Sequence, residues 1–217
     1  VCVPSGNFGN IYAGFLARSM GVPIRRLMLA TNENNVLEEF FTTGIYRPRS
    51  AQDTLATSSP SMDISKASNL ERFIWALLGP EVFVQRWAEL EATGTLDLRD
   101  QLPRLREEFG FVAGTSSHAD RLEAIRSVKE RSGRLIDPHT ADGVTVALRV
   151  MEPGFPTLVM ETAKAAKFPQ TVAEALGSEP ETPDVVADLL ARPQKVETID
   201  NEEAPLRALI EERALTR

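Results

Sequence analysis

Apolar and polar positions along residues 1–41 follow a rhythm that predicts strand, turn, helix, strand and helix in succession. Val1 to Val3 form a short apolar run that Pro4-Ser5-Gly6 interrupts, and Ile11, Phe15, Leu16 and Met20 then recur at helical spacing. Gly21 is placed to end that helix, and Pro23 reinforces the stop. A second apolar run, Ile24 to Ala30, predicts another strand. It leads through Thr31-Asn32-Glu33-Asn34-Asn35, where Asn32 and Asn34 read as caps, into a short helix from Val36 to Phe41. Strands alternating with helices in this way predict a parallel sheet with crossover helices.

Residues 42–64 break the rhythm, because Thr42 to Ile64 is rich in Ser, Thr and Pro and reads as a long ordered loop. Such a segment inside a compact domain is usually functional or disordered, and the functional reading is the one taken. Helical spacing returns with Leu70, Phe73, Ile74, Leu77 and Leu78. Pro80 opens a further helix whose apolar face is Phe83, Trp87 and Leu90, with Trp75 and Trp87 expected in the core. Beyond it the pattern predicts a short helix over 99–110, a strand from Phe111 to Thr115 and a helix from Ala119 to Arg131. A strand end turns into a helix at Leu135 to Thr140, a strand is expected over Pro156 to Glu161, and a helix over Phe168 to Leu176. One or two polar helices close the chain, and the acidic cluster from Glu179 to Glu203 reads as solvated surface. The fold class is therefore α/β. We divide it into residues 1–65, a helical insertion at 66–110, a return to the sheet at 111–178 and a helical tail at 179–217.

Charge narrows the function classes. A formal net charge of -7, from 31 acidic and 24 basic residues, argues against a general nucleic-acid or anionic-membrane surface. No apolar run approaches the roughly 18–20 residues needed to span a bilayer. The single cysteine, Cys2, suits a reducing cytoplasm, and with only His118 and His139 beside it there is no zinc-ligand spacing, so no metal is expected. The opening Val1-Cys2-Val3-Pro4 reads as a buried strand instead of a signal peptide, which predicts a longer parent chain.

The strongest local signal is Ser5-Gly6-Asn7-Phe8-Gly9-Asn10, lodged between a strand and a helix. Glycines permit positive φ and close approach of the backbone to a ligand. The helix that follows presents free N–H groups and a positive dipole end. Ser5, Asn7 and Asn10 add neutral donors, which suit a phosphate ester. The alternative is a strand–helix turn that needs glycine only for packing. The pattern is neither a Walker loop nor a full dinucleotide fingerprint.

The run PSGNFGN, followed by AG, MGVPI, ATNENNVL, TGIY, SPSMDI and SNLER, resembles the bacterial and fungal threonine synthases, and DPHTADG and ETAKAAKFP follow in the same order. The resemblance implies a fold-type II enzyme, of the tryptophan synthase β type, that uses pyridoxal 5'-phosphate (PLP). It implies that Ser5 to Asn10 cradle the cofactor's phosphate. It further implies conversion of O-phospho-L-homoserine and water into L-threonine and phosphate, with PLP as electron sink. In this family the lysine that forms the Schiff base lies in the N-terminal half, before the phosphate loop, and no Lys precedes Ser5 here. The chain is thus expected to supply the phosphate loop, to require the missing N-terminal half as its partner, and to be inactive alone. Thr162, by the same resemblance, hydrogen-bonds the pyridine nitrogen; the alternative is a helix N-cap. Lys164-Ala165 stand where the family string has His-Pro, so no role of that histidine carries over.

Four further residues are candidates on the substrate side. His139 and Thr140 sit at a strand-to-helix transition that aims at the crevice beyond the sheet's carboxyl edge, with capping and local packing as the equal alternative. No Ser/His/Asp set is expected around His139. Ser61, with Ser59 and Asp63, lines the substrate side or orders its loop. Arg72 faces a substrate phosphate or joins surface pairs with its neighbours, with Asn69 near the cap of the same helix. Besides the synthase, two readings fit the same residues: a non-catalytic module that binds PLP or a phosphorylated metabolite, and a purely structural or interaction fragment.

Overall fold

The structure, a computed structural model, describes residues 1–184 and 189–214. The chain divides into two units, Val1–Glu181 and Thr182–Arg217. The first unit is built on a three-stranded parallel sheet in the order β1 (Cys2–Pro4), β2 (Leu27–Thr31), β5 (Phe111–Thr115). Val3 pairs with Leu29, and Leu29 with Ala113, so the register runs straight across the sheet.

Side chains alternate faces along a strand, and both faces are covered. Val3, Leu27, Leu29 and Phe111 point into the main core with residues of α1 (Gly9–Ser19), α2 (Val36–Thr43) and α3 (Leu70–Leu78). Cys2, Met28 and Ala30 point the other way, onto Val146 and Ala147 of α6 (Pro138–Val150). Behind α6, the helix α5 (His118–Ser132) packs with α7 (Pro169–Leu176) around Ile125, Ala141 and Ala175. The main core is aromatic at its centre: Phe8, Phe41, Phe73 and Phe111 stack or meet edge to face, the tightest pair being Phe41 and Phe111 at 4.5 Å between ring centroids.

Several expectations change. The second strand starts at Leu27, three residues later than its apolar run. Pro156 to Glu161 forms no strand; Val159 alone bridges Cys2, with Cys2 N donating to Leu158 O (2.7 Å) and Met160 N to Cys2 O (2.9 Å). Pro156 has no N–H to extend that ladder. Of the stripe on α1, Ile11 and Phe15 are buried while Leu16 and Met20 are exposed, because Leu16 is turned about 100° round the helix from Phe15 and Met20 lies past its end. Trp75 is 51% exposed on the outer face of α3, where Leu70, Phe73, Ile74 and Leu77 already fill the inner one. Trp87, on α4 (Pro80–Thr93), is partly buried against the main core. The expected helix at 99–110 is a 3-10 turn, Arg99–Gln101, then a π turn, Arg104–Glu108, with Pro103 between them. Residues 42–64 contain two such 3-10 turns and a short strand β3 (Ile45–Tyr46) that pairs antiparallel with β4 (Leu96–Asp97).

The second unit contains a 3-10 turn at Leu189–Ala191 and a helix α8 (Glu203–Ala214), with Arg207 paired to Glu203 and Arg213 to Glu197. The expectation of polar helices at 179–217 also falls on residues 185–188 and 215–217, which lie outside the described residues.

Candidate functional site

A pocket of about 150 Å³ opens at the carboxyl end of β1, where parallel α/β sheets bind ligands. Pro4, Ser5, Gly6, Asn7 and Asn10 line it from the loop between β1 and α1; Ser61, Met62, His139, Thr162, Ala163 and Lys167 complete it. Seven of the residues singled out by sequence thus meet in one place: Ser5, Gly6, Asn7, Asn10, Ser61, His139 and Thr162.

The loop is held by its own side chains. Ser5 N donates to Ala30 O (2.9 Å), Phe8 N to Ser5 Oγ (3.1 Å) and Gly9 N to Asn7 Oδ1 (2.9 Å). From the far side, Asn69 donates to Asn7 O with both its backbone N and its Nδ2, each at 3.1 Å. No acceptor among the described residues takes the amides of Gly6, Asn7 or Asn10. Unsatisfied N–H groups at a helix start form an anion site, so this donor set fits a phosphoryl group.

The left-handed position in the loop is not a glycine. Phe8 takes φ 68°, and its ring is wholly buried among Phe41, Phe73 and Phe111. Burying the ring offsets the ~1–2 kcal/mol that the backbone conformation costs. Gly6 is needed for space instead: a β-carbon there would stand 2.9 Å from Met62 Cα. A β-carbon on Gly9 would meet only the ends of the Asn7 and Asn69 side chains, at 3.2 and 3.4 Å.

The opposing loop is equally tied. Asp63 accepts from Asn32 Nδ2 (2.8 Å), Asn34 Nδ2 (3.1 Å), Thr57 N (2.8 Å) and Thr57 Oγ1 (2.6 Å). Asn32 and Asn34 therefore fasten this loop, not the helix that follows them. His139 reaches the same loop: its Nε2 accepts from Ser61 N at 3.0 Å, which leaves the proton on Nδ1, 2.8 Å from Asp137 Oδ1. Asp137, His139 and Ser61 stand in a line, but His139 meets the serine's backbone N–H and not its hydroxyl, so its lone pair is not available as a base.

Asp137 is the cap of α6, accepting from the backbone of His139 and Thr140 and from the Thr140 hydroxyl. Burial pushes its pKa up, yet the hydrogen bonds from His139 and Thr140 more than reverse this and hold it below the ordinary carboxylate value. Thr140 is spent on that contact and lies outside the pocket lining, and so does Arg72, which is exposed and forms no ion pair among the described residues.

A buried network that the sequence did not reveal supports the site from behind. Arg121 is wholly buried on α5 and donates to both carboxylate oxygens of Glu33 (2.8 and 2.9 Å), to Asp142 Oδ1 (3.1 Å) and to Ser58 Oγ (2.8 Å). Ser58 Oγ also lies 2.7 Å from His118 Nδ1, and His118 Nε2 lies 2.9 Å from Glu174. These bonds join the 55–65 loop to α5, α6 and α7. Burial lifts the Asp142 carboxyl to about 6 against the opposing pull of Arg121, and its second oxygen has no hydrogen-bond partner among the described residues.

With this geometry in view, the similarities to known proteins are specific. Residues 140–210 match the family model described as "Threonine synthase, C-terminal". The chain is 50% identical over 213 residues to the threonine synthase of Methylobacillus glycogenes, a match covering 97% of this chain and 45% of that protein. It is also 50% identical over 207 residues to the threonine synthase of Corynebacterium glutamicum, covering 92% of this chain and 43% of that one. Among solved structures, the PLP-bound threonine synthase from Brucella melitensis superposes with a TM-score of 0.84 at 35% identity, over 97% of this chain and 44% of that chain. The chain spans less than half the length of these relatives. In sequence and in backbone the chain belongs to the threonine synthase family, as its C-terminal part, with the α/β fold-type II architecture that the motifs implied.

Proposed function

We propose that this chain forms the phosphate-holding part of a PLP-dependent threonine synthase that converts O-phospho-L-homoserine and water into L-threonine and phosphate. The observation that carries the reading is the set of unpartnered amides at Gly6, Asn7 and Asn10 facing a pocket that Thr162 also lines. The 50% identity to threonine synthases supports the enzyme over a non-catalytic binding module.

In this reading the three amides receive the cofactor's phosphate, and Phe8, locked in the aromatic core, fixes their direction. Thr162 offers a neutral hydroxyl to the pyridine nitrogen, which keeps that nitrogen unprotonated. His139 holds the Ser61 backbone, and through it Met62, against Gly6, so the pocket wall is set before any ligand arrives. PLP, when bound, supplies the electron sink that permits elimination at the γ carbon and addition of water at the β carbon. The lysine that carries PLP comes from the N-terminal half, the chain's necessary partner, and the enzyme works in the cytoplasm.

The test uses the full-length protein. It should bind PLP and release phosphate from O-phospho-L-homoserine with L-threonine as the product, while residues 1–217 alone should do neither. Full-length protein that retains PLP yet makes no threonine from this substrate would refute the assigned reaction.

A further inference from the structure

Backbone amides and neutral side chains hold the phosphate in the proposed function, but one charged group at the pocket has no task there. Lys167 lines the pocket, and among the described residues it is the only Lys or Arg that does. It stands at the end of the 3-10 turn Ala165–Lys167, which is anchored by buried Ala165 and closed by Lys167 N donating to Lys164 O at 3.0 Å.

Its neighbour shows what an ordinary surface lysine does in this segment. Lys164 Nζ pairs with Glu161 at 2.7 Å. Lys167 has no carboxylate within pairing distance among the described residues; its Nζ stands instead 5.8 Å from the centroid of the Phe168 ring. Phe168 in turn packs against His139, with ring centroids 4.7 Å apart, and His139 holds Ser61 on the pocket wall. The ammonium thus stands beside the pocket and near an aromatic ring, with no acid among the described residues to neutralise it.

A phosphate monoester carries close to two negative charges at neutral pH. Loop amides offer partial charges only, and the chain as a whole has a formal net charge of -7. A full positive charge at the rim is the component the amides lack, and a charge-assisted hydrogen bond from Nζ supplies it.

We propose that Lys167 is the cationic partner of a phosphate monoester seated in this pocket, and that it makes the site prefer a phosphorylated ligand over the same ligand without its phosphate. The proposal rests on the reading of the Ser5–Asn10 loop as a phosphate site. The phosphate can be that of the cofactor or that of the substrate, and binding measurements separate the two.

Full-length apoprotein is titrated with PLP and with pyridoxal, following the ligand's absorbance, in wild type, Lys167→Met, Lys167→Arg and Gly6→Ala. Lys167→Met should weaken PLP about tenfold or more and leave pyridoxal unchanged, with Lys167→Arg restoring most of the loss. Inhibition of the holoenzyme by inorganic phosphate forms the second arm. If PLP affinity is untouched but that inhibition weakens about tenfold in Lys167→Met, the lysine serves the substrate's phosphate. Equal weakening of PLP and pyridoxal, or no change in either arm, overturns the proposal. Gly6→Ala keeps the underlying reading separate: loss of PLP preference there, with no change in either arm for Lys167→Met, sinks only the lysine. Preference retained in Gly6→Ala sinks the phosphate site itself.

Discussion

A β-carbon on Gly6 would stand 2.9 Å from Met62 Cα and 3.1 Å from Met62 O, so the Ser5–Asn10 loop and the loop at 60–64 meet backbone to backbone. Both partners are rigid at this contact. Gly6→Ala is therefore expected to destabilise the protein by about 1–3 kcal/mol, as overpacking does. The shift in urea midpoint should come with loss of PLP affinity. Gly9→Ala, which meets only the movable ends of Asn7 and Asn69, should leave the midpoint nearly unchanged.

The buried arginine makes a sharper stability prediction. Arg121 pairs with part-buried Glu33 and with wholly buried Asp142 while holding Ser58, and its removal leaves the Asp142 carboxylate in the interior without its cation. Arg121→Met should lose about 3–5 kcal/mol in denaturant unfolding. Lys at this position should recover little, because an ammonium cannot match the fork that spans Glu33, Asp142 and Ser58.

Asp142 should leave a mark on the pH dependence of stability. Its folded carboxyl, lifted by burial from the ordinary 3.8 to about 6, binds a proton that the unfolded chain has already lost between those values. Stability from this group is therefore fully present below about pH 4 and falls as pH rises through about 6, by roughly 3 kcal/mol at most. Asp142→Asn should flatten that slope in unfolding curves taken from pH 4 to 7. An unchanged slope would mean that the carboxylate is better solvated than its buried position implies.

Cys2 is wholly buried in β1, and its thiol is pushed up to about 12 by that burial. Only the thiolate reacts with alkylating reagents. Native protein should resist iodoacetamide at pH 8, and labelling should appear only with unfolding; rapid labelling of folded protein would show that the β1 edge opens readily.

Much of this site was legible in the chain because its chemistry is local. Gly6, Asn7 and Asn10 fall in one short segment between a strand and a helix, where the first N–H groups of the helix have no partner within it. What was not legible came from contacts between distant segments. Phe8 adopts the backbone conformation expected of a glycine because a core of Phe41, Phe73 and Phe111 holds its ring, and nothing beside Phe8 in the sequence announces that core. Arg121 lies in a polar helix and reads as a surface residue until Glu33 and Asp142 are folded around it. The apolar composition of Pro156 to Glu161 suggests a strand, but Pro156 has no N–H to pair and only the Val159–Cys2 bridge forms. Lys167 differs from Lys164 in its surroundings, the pocket and the Phe168 ring in place of Glu161.

The central claim is that the amides of Gly6, Asn7 and Asn10 hold the phosphate of PLP. A crystal structure of the full-length protein with PLP measures this directly. Phosphate oxygens should lie about 2.7–3.2 Å from those three nitrogens. A phosphate bound elsewhere, with the same amides turned to protein acceptors, would contradict the account.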